Sequence, residues 1–247
     1  MSVRDKLISG PLGIGAAPLG NMFRNIPEAE AAATVDAAWQ QGIRYFDTAP
    51  LYGAGLSEMR LGRALAKHKR DEYVLSSKVG RLILDEVESG PRQLGEKGNL
   101  FEFGRPNRMV YDYSADGTLR SIEDSLKRLG VDRLDFVWNH DLSRDFHGDE
   151  WLARFETART GAFRALTQLR ERGVIKAWGL GVNTVEPCEL ALDMARGATG
   201  RIPSGRPPHA ARSRARAAAP TEQGAGNASD CRLARLTLHE QTLWNRR

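Results

Sequence analysis

Cysteine is scarce in this sequence: Cys188 and Cys231 are the only two among 247 residues. Neither has a partner at metal-ligand spacing. That argues against a disulfide framework and a cysteine-bound metal, and it points to a reducing, cytoplasmic setting. No apolar run approaches the roughly 18 residues that a membrane-spanning helix needs. Residues 1–6 are not followed by the hydrophobic segment of a signal peptide. Lysine and valine are missing from residues 197–247, where Trp244 is the sole aromatic. That stretch is instead dense in Ala, Arg, Gly and Pro, so it lacks the apolar surface to offset the entropy of ordering. We expect residues 197–247 to be a disordered tail, and residues 1–196 to be the folded body. A shift of reading frame near residue 196 in GC-rich DNA is the expected origin of the tail, with a natural basic tail as the alternative.

A net basic charge is also missing from the body. The chain carries a net +5, but its last 51 residues hold nine arginines and three acids, or +6, which leaves −1 for residues 1–196. A phosphate-binding protein needs a basic stripe on its folded surface. Nucleic acid is therefore not an expected partner, and an Arg-rich tail that binds it is the remotest reading.

What the body does have is alternation. Short apolar runs near 12–16, 43–46, 73–78, 134–138 and 177–180 read as strands. Between them lie helical patterns from Pro27 to Gln41, from a capping Ser57 to about His68, from Ala115 to Leu129, from about 150 to Arg172, and onward from a capping Thr184. The first has Val35, Ala38 and Trp39 facing inward. The third is capped by Ser114, has Leu119, Ile122, Leu126 and Leu129 on one stripe, and is stopped by Gly130. Strand–helix alternation at short spacing is the signature of βα units and a parallel sheet. The fold class is therefore α/β, of the (β/α)8 barrel type but with about five units, so the first and fifth strands are open edges. Residues 80–113 interrupt the rhythm and read as a long functional loop. Its aromatics Phe101, Phe103, Tyr111 and Tyr113 either line a pocket or pack the loop down.

Three strands end in ionisable groups. The first stretch, Phe46-Asp47-Thr48-Ala49-Pro50-Leu51-Tyr52-Gly53, sets a carboxylate and a phenol on one turn. The second, Ser76-Ser77-Lys78, ends in a cation, and the third, Trp138-Asn139-His140-Asp141, ends in an imidazole. A phenol with an ordinary pKa near 10 is a weak acid at neutral pH, and a nearby cation favours its anion. Gly13 and Gly15 begin a dinucleotide-type fingerprint, but Pro18 stands where the third glycine belongs and no helix opens there. Small residues at this point let a ligand or neighbouring backbone come close. His68, His147, His209 and His239 fall outside the pattern and receive no role.

These motifs, with Gly13-Ile14-Gly15-Ala16-Ala17-Pro18-Leu19-Gly20-Asn21 and Tyr113-Ser114-Ala115-Asp116-Gly117, resemble the aldo-keto reductase family across roughly residues 8–196, and within it the bacterial sugar-dehydrogenase branch. The resemblance implies an NAD- or NADP-dependent oxidoreductase that interconverts an alcohol or sugar hemiacetal with a carbonyl or lactone, acting on a small sugar, aldehyde or alcohol. It implies Tyr52 as general acid/base, Lys78 as the group that lowers the Tyr52 pKa, Asp47 as the salt-bridge partner of Lys78, and His140 as the group that orients the carbonyl. It further implies Asn183 on the nicotinamide carboxamide, with Gly15, Ala16 and Asp47 also against the cofactor, and no metal. The family barrel has eight strands. With five, the chain is expected to hold cofactor weakly and to be inactive as it stands. A non-catalytic barrel relative acting as a binding or regulatory subunit is the alternative.

Overall fold

The computed structural model describes residues 12–88 and 100–195. The tail at 197–247 and the loop residues Gly90, Pro91, Gly95 and Gly98 lie outside the described residues. Among the described residues six strands form the sheet: β1 (Ile14–Gly15), β2 (Tyr45–Asp47), β3 (Val74–Val87), β4 (Asn107–Asp112), β5 (Phe136–His140) and β6 (Ala177–Gly181). Five of them run parallel in the order β1-β2-β3-β5-β6, and β4 pairs antiparallel with β3. The helices are α1 (Glu28–Gln40), α2 (Leu56–Leu65), α3 (Ala115–Leu129), the short α4 (Arg144–His147), α5 (Trp151–Thr160), α6 (Ala162–Glu171) and α7 (Glu186–Ala195). Among the described residues this is an open arc of parallel strands backed by helices, an incomplete (β/α)8 barrel with β1 and β6 at its ends. None of the described helices is long and apolar enough to cross a membrane.

The period of two along a strand divides the core. Phe46, Leu75, Val137 and Leu180 face outward and pack with Val35, Leu61, Leu65, Ile122, Leu129 and Leu166 of the helices. Val74, Phe136, Trp138 and Ala177 turn the other way and fill the concave side beneath the strand ends, with Tyr45 against them. Each fully buried Leu or Phe contributes about 1.5–3 kcal/mol relative to exposure. The outer layer is therefore what holds the strand ends in place for the site above them.

The elements depart from the sequence expectations in four places. Residues 80–113 are not one loop: β3 continues nine residues past Lys78 and pairs with β4 from Gly80↔Asp112 to Val87↔Asn107. Gly80, at φ +105, sits against the Tyr113 ring and hid this strand, since glycine reads as punctuation. The helical stretch to Arg172 breaks at Gly161, whose backbone is non-helical at φ −108 and ψ −86; it packs so closely on the neighbouring chain that a Cβ would lie 2.8 Å from the backbone at Tyr113 and Ala115. Ser57 does not cap α2. Gly55 holds that position, and the Ser57 hydroxyl donates to the Ala16 carbonyl at 2.6 Å. The inward face of α3 is Thr118, Ser121, Ile122, Ser125 and Leu129, leaving Leu119 exposed. Small polar residues let this helix lie close on β3, where Ser121 Oγ donates to the Arg81 carbonyl at 3.2 Å.

Candidate active site

Asp47 is the last residue of β2 and stands in register with Ser76 of β3. Side chains two apart on a strand share a face, so Lys78 comes up beside it. Its Nζ donates to Asp47 Oδ2, and it also donates to the Thr48 carbonyl at 3.1 Å. Ser76 Oγ donates to the other carboxylate oxygen, Oδ1. The Lys78 side chain is 2% exposed and that of Asp47 13%. A charge that deep persists only when paired, which is what this geometry provides.

The turn after β2 delivers Tyr52. Backbone bonds from Tyr52 to Ala49 (3.1 Å) and from Gly55 to Pro50 (2.8 Å) close it. Gly53 takes the left-handed conformation at φ +66, with its α-carbon packed on the Gly20 carbonyl, where a Cβ would fall 2.3 Å from the oxygen. No other residue type fits that position. The Tyr52 ring is then bounded on three sides. Phe101 stacks on it at 5.6 Å, His140 meets it edge-on at 5.8 Å, and Lys78 Nζ lies 4.8 Å from its centroid.

His140 ends β5. Lys78 is in register with Trp138, so His140 is two residues further along on the same face. Burial pushes its pKa well below 6.5, and the nearby Lys78 and Arg81 charges push it further down. The imidazole is therefore neutral at neutral pH. Its contact with Asp141, Nε2 to Oδ1 at 3.4 Å, is accordingly not an ion pair.

The structure thus brings Asp47, Tyr52, Lys78 and His140 together from three strand ends. Gly15 is in register with Asp47, and the Ala16 amide donates to the Asp47 carbonyl at 2.7 Å, so that amide is already engaged. Asn183 lies two residues beyond Gly181, the register partner of His140, with its side chain exposed and Nδ2 3.4 Å from Asp145 Oδ2.

Three supporting residues were not read from the sequence. Ser76 secures the second oxygen of Asp47. Glu58 is fully buried behind β3, accepting from Ser77 Oγ at 2.7 Å and from Arg128 Nε at 2.6 Å. Arg60 gathers the loop after β1 by donating to the Leu19 and Ile26 carbonyls, both at 2.8 Å, and to Asn21 Oδ1 at 2.7 Å. Charged residues on a short helix read as a solvated face, which is why Glu58 and Arg60 went unnoticed. Phe101 resolves toward packing: it is 2% exposed and backs Tyr52.

Parallel strands that converge a carboxylate, a lysine, a phenol and a neutral imidazole at their C-terminal ends invite comparison with known proteins. The aldo/keto reductase family matches residues 11–199. The chain belongs to that family. It is similar to pyridoxal 4-dehydrogenase of Microbacterium luteolum, with 42% identity over 78% of this chain and 57% of the relative. It is also similar to D-threo-aldose 1-dehydrogenase of a Pseudomonas species, with 44% identity over 75% of this chain and 56% of the relative. Among solved structures, glycerol dehydrogenase of Gluconobacter oxydans superposes with a TM-score of 0.53 at 25% identity, covering 76% of this aldo-keto reductase chain and 50% of its own. The chain therefore spans about half the length of the curated relatives it matches, and somewhat over half of these two.

Proposed function

We propose that this aldo-keto reductase chain carries the proton-transfer site of an NAD(P)-dependent oxidoreductase that interconverts an alcohol or sugar hemiacetal with a carbonyl or lactone. The observation that carries the reading is Lys78, whose ammonium is held on Asp47 while it faces the Tyr52 ring at 4.8 Å. A cation so placed stabilises the phenolate, so the phenol exchanges its proton with a bound substrate oxygen at lower free-energy cost. Reduction moves the proton from Tyr52 Oη to the carbonyl oxygen, and oxidation returns it. The neutral imidazole of His140, edge-on to the Tyr52 ring, orients that oxygen by a hydrogen bond. Relatives named as pyridoxal and aldose dehydrogenases support a small carbonyl or sugar substrate.

The residues present fit the nicotinamide end of the cofactor. The exposed Asn183 amide has the donor and acceptor to pair with a carboxamide, and Gly15 stands beside Asp47 on the neighbouring strand, whereas Ala16 is buried in the core. When bound, the cofactor supplies or accepts the hydride. The proposal includes weak retention of that cofactor by the chain, since the described residues assigned to it all lie at this one end.

Tyr52→Phe tests the role. It should lower kcat by about 10²- to 10⁴-fold, while the dissociation constants of NADH and NADPH, read by fluorescence titration, stay unchanged. Equal loss of turnover and cofactor binding would show that Tyr52 is structural. The same titration on the unaltered chain tests retention, and saturation at micromolar cofactor would overturn the weak-binding part of the proposal.

A further inference from the structure

We propose that Tyr113, at the end of the β3–β4 hairpin, is a positioning residue for His140. The proposal rests on the reading of His140 as the group that orients the substrate oxygen. Tyr113 is 2% exposed, and its Oη donates to the His140 main-chain carbonyl at 2.8 Å. Its ring lies on Gly80, where a Cβ would fall 2.3 Å from Cε1. One side chain therefore touches the backbone two residues past Lys78 and the backbone of His140 itself, fixing the spacing of two strands that each supply a group to the site.

The proton assignment follows from the partners. Tyr113 Oη also lies 2.9 Å from His147 Nε2. A carbonyl can only accept, so the phenol proton belongs to His140 O, and His147 must present Nε2–H to the phenol oxygen. Burial raises the Tyr113 pKa, and burial together with the Arg81 charge lowers that of His147 to about 4. Both groups therefore stay neutral around pH 7, and the arrangement persists. A second restraint acts on the same turn. Arg81, also on β3, makes a charge contact with Asp141 at 2.8 Å and donates to Tyr111 Oη at 3.0 Å. Asp141 follows His140 in the left-handed conformation, φ +54, with its amide donating to the Gly181 carbonyl at 2.9 Å. The hairpin thus holds the main chain on either side of the His140 imidazole while Tyr52 meets the ring edge-on.

A purely structural role is the competing explanation, because Tyr113 also precedes the Ser114 cap of α3 and its carbonyl accepts from the Ala162 amide at 3.1 Å. Tyr113→Phe separates the two, since it keeps the ring on Gly80 and removes only the hydroxyl. The full-length chain with 15N-labelled histidine is compared with the variant at pH 7 by NMR, and His140 is assigned by its loss in His140→Gln. The expected result is a displaced and broadened His140 ring signal, with kcat lowered about tenfold and KM little changed. A lowered melting temperature with the His140 signal unmoved would overturn the proposal. Should the variant not fold, the wild-type chain still tests the contact on which the proposal rests, because a Tyr113 hydroxyl proton held on the His140 carbonyl is expected to exchange slowly enough to give its own resonance. Absence of that resonance overturns the proposal as well. Absence of turnover in the wild type is what a shortened barrel would show and leaves the magnetic-resonance test in force, since the His140 signal reports position without any reaction.

Discussion

Removing the ammonium from Lys78 while keeping its length is the sharpest physical test of the site. Lys78→Met leaves the Asp47 carboxylate largely buried beside Ser76, without the cation that donates to it. Breaking a buried pair from one side destabilises by about 3–5 kcal/mol, because the remaining charge stays desolvated and uncompensated. A domain of ordinary stability has only about 5–15 kcal/mol in hand. The variant should therefore unfold at far lower urea, read by far-UV circular dichroism at pH 7. Adding Asp47→Asn removes the orphaned charge and keeps an oxygen for the Ser76 hydroxyl, so the double variant should recover to within about 1 kcal/mol of the parent. The coupling should persist in salt, since buried pairs are screened little. If Lys78→Met loses less than about 1 kcal/mol, or the two changes simply add, then the pair does not hold the strand ends together and the reasoning fails.

Stability should also fall as the solution is acidified from about pH 6.5 to about pH 4. His147 is held near 4 against about 6.5 in the unfolded chain, so the unfolded state binds more protons in that window. His140 acts in the same direction. His147 is only half-buried, so we discount its share for solvent screening to about 1–2 kcal/mol; melting curves of His147→Gln should be flatter across the window, and an unchanged slope would contradict the assignment. Gly53→Ala places a methyl on the Gly20 carbonyl in a left-handed residue, and should lose about 2–5 kcal/mol in urea unfolding. Asn139 is fully buried with no hydrogen-bond partner for its amide among the described residues. Asn139→Leu should therefore stabilise by about 1 kcal/mol, whereas a loss of that size would reveal a partner for the amide.

The sequence by itself determined the alternation of five parallel strands with helices, and the identity of the four groups at the strand ends. Both rest on local physics. Strand and helix periods are written in consecutive residues, Ser114 caps α3 through the Gly117 amide at 3.0 Å, and Gly130 ends it in the left-handed conformation. Which groups meet was decided by tertiary structure. Tyr52 reaches Lys78 only because Gly53 packs on Gly20 and Phe101 closes over the ring, contacts between residues more than thirty positions apart. Leu119 was misplaced because helical spacing defines a stripe but not which side of it faces the sheet. The β3–β4 pairing, the break at Gly161 and the buried Glu58 and Arg60 have the same origin. Each depends on a partner distant in the chain, and a hydrogen bond or close backbone approach to such a partner leaves no periodic mark in the sequence around it.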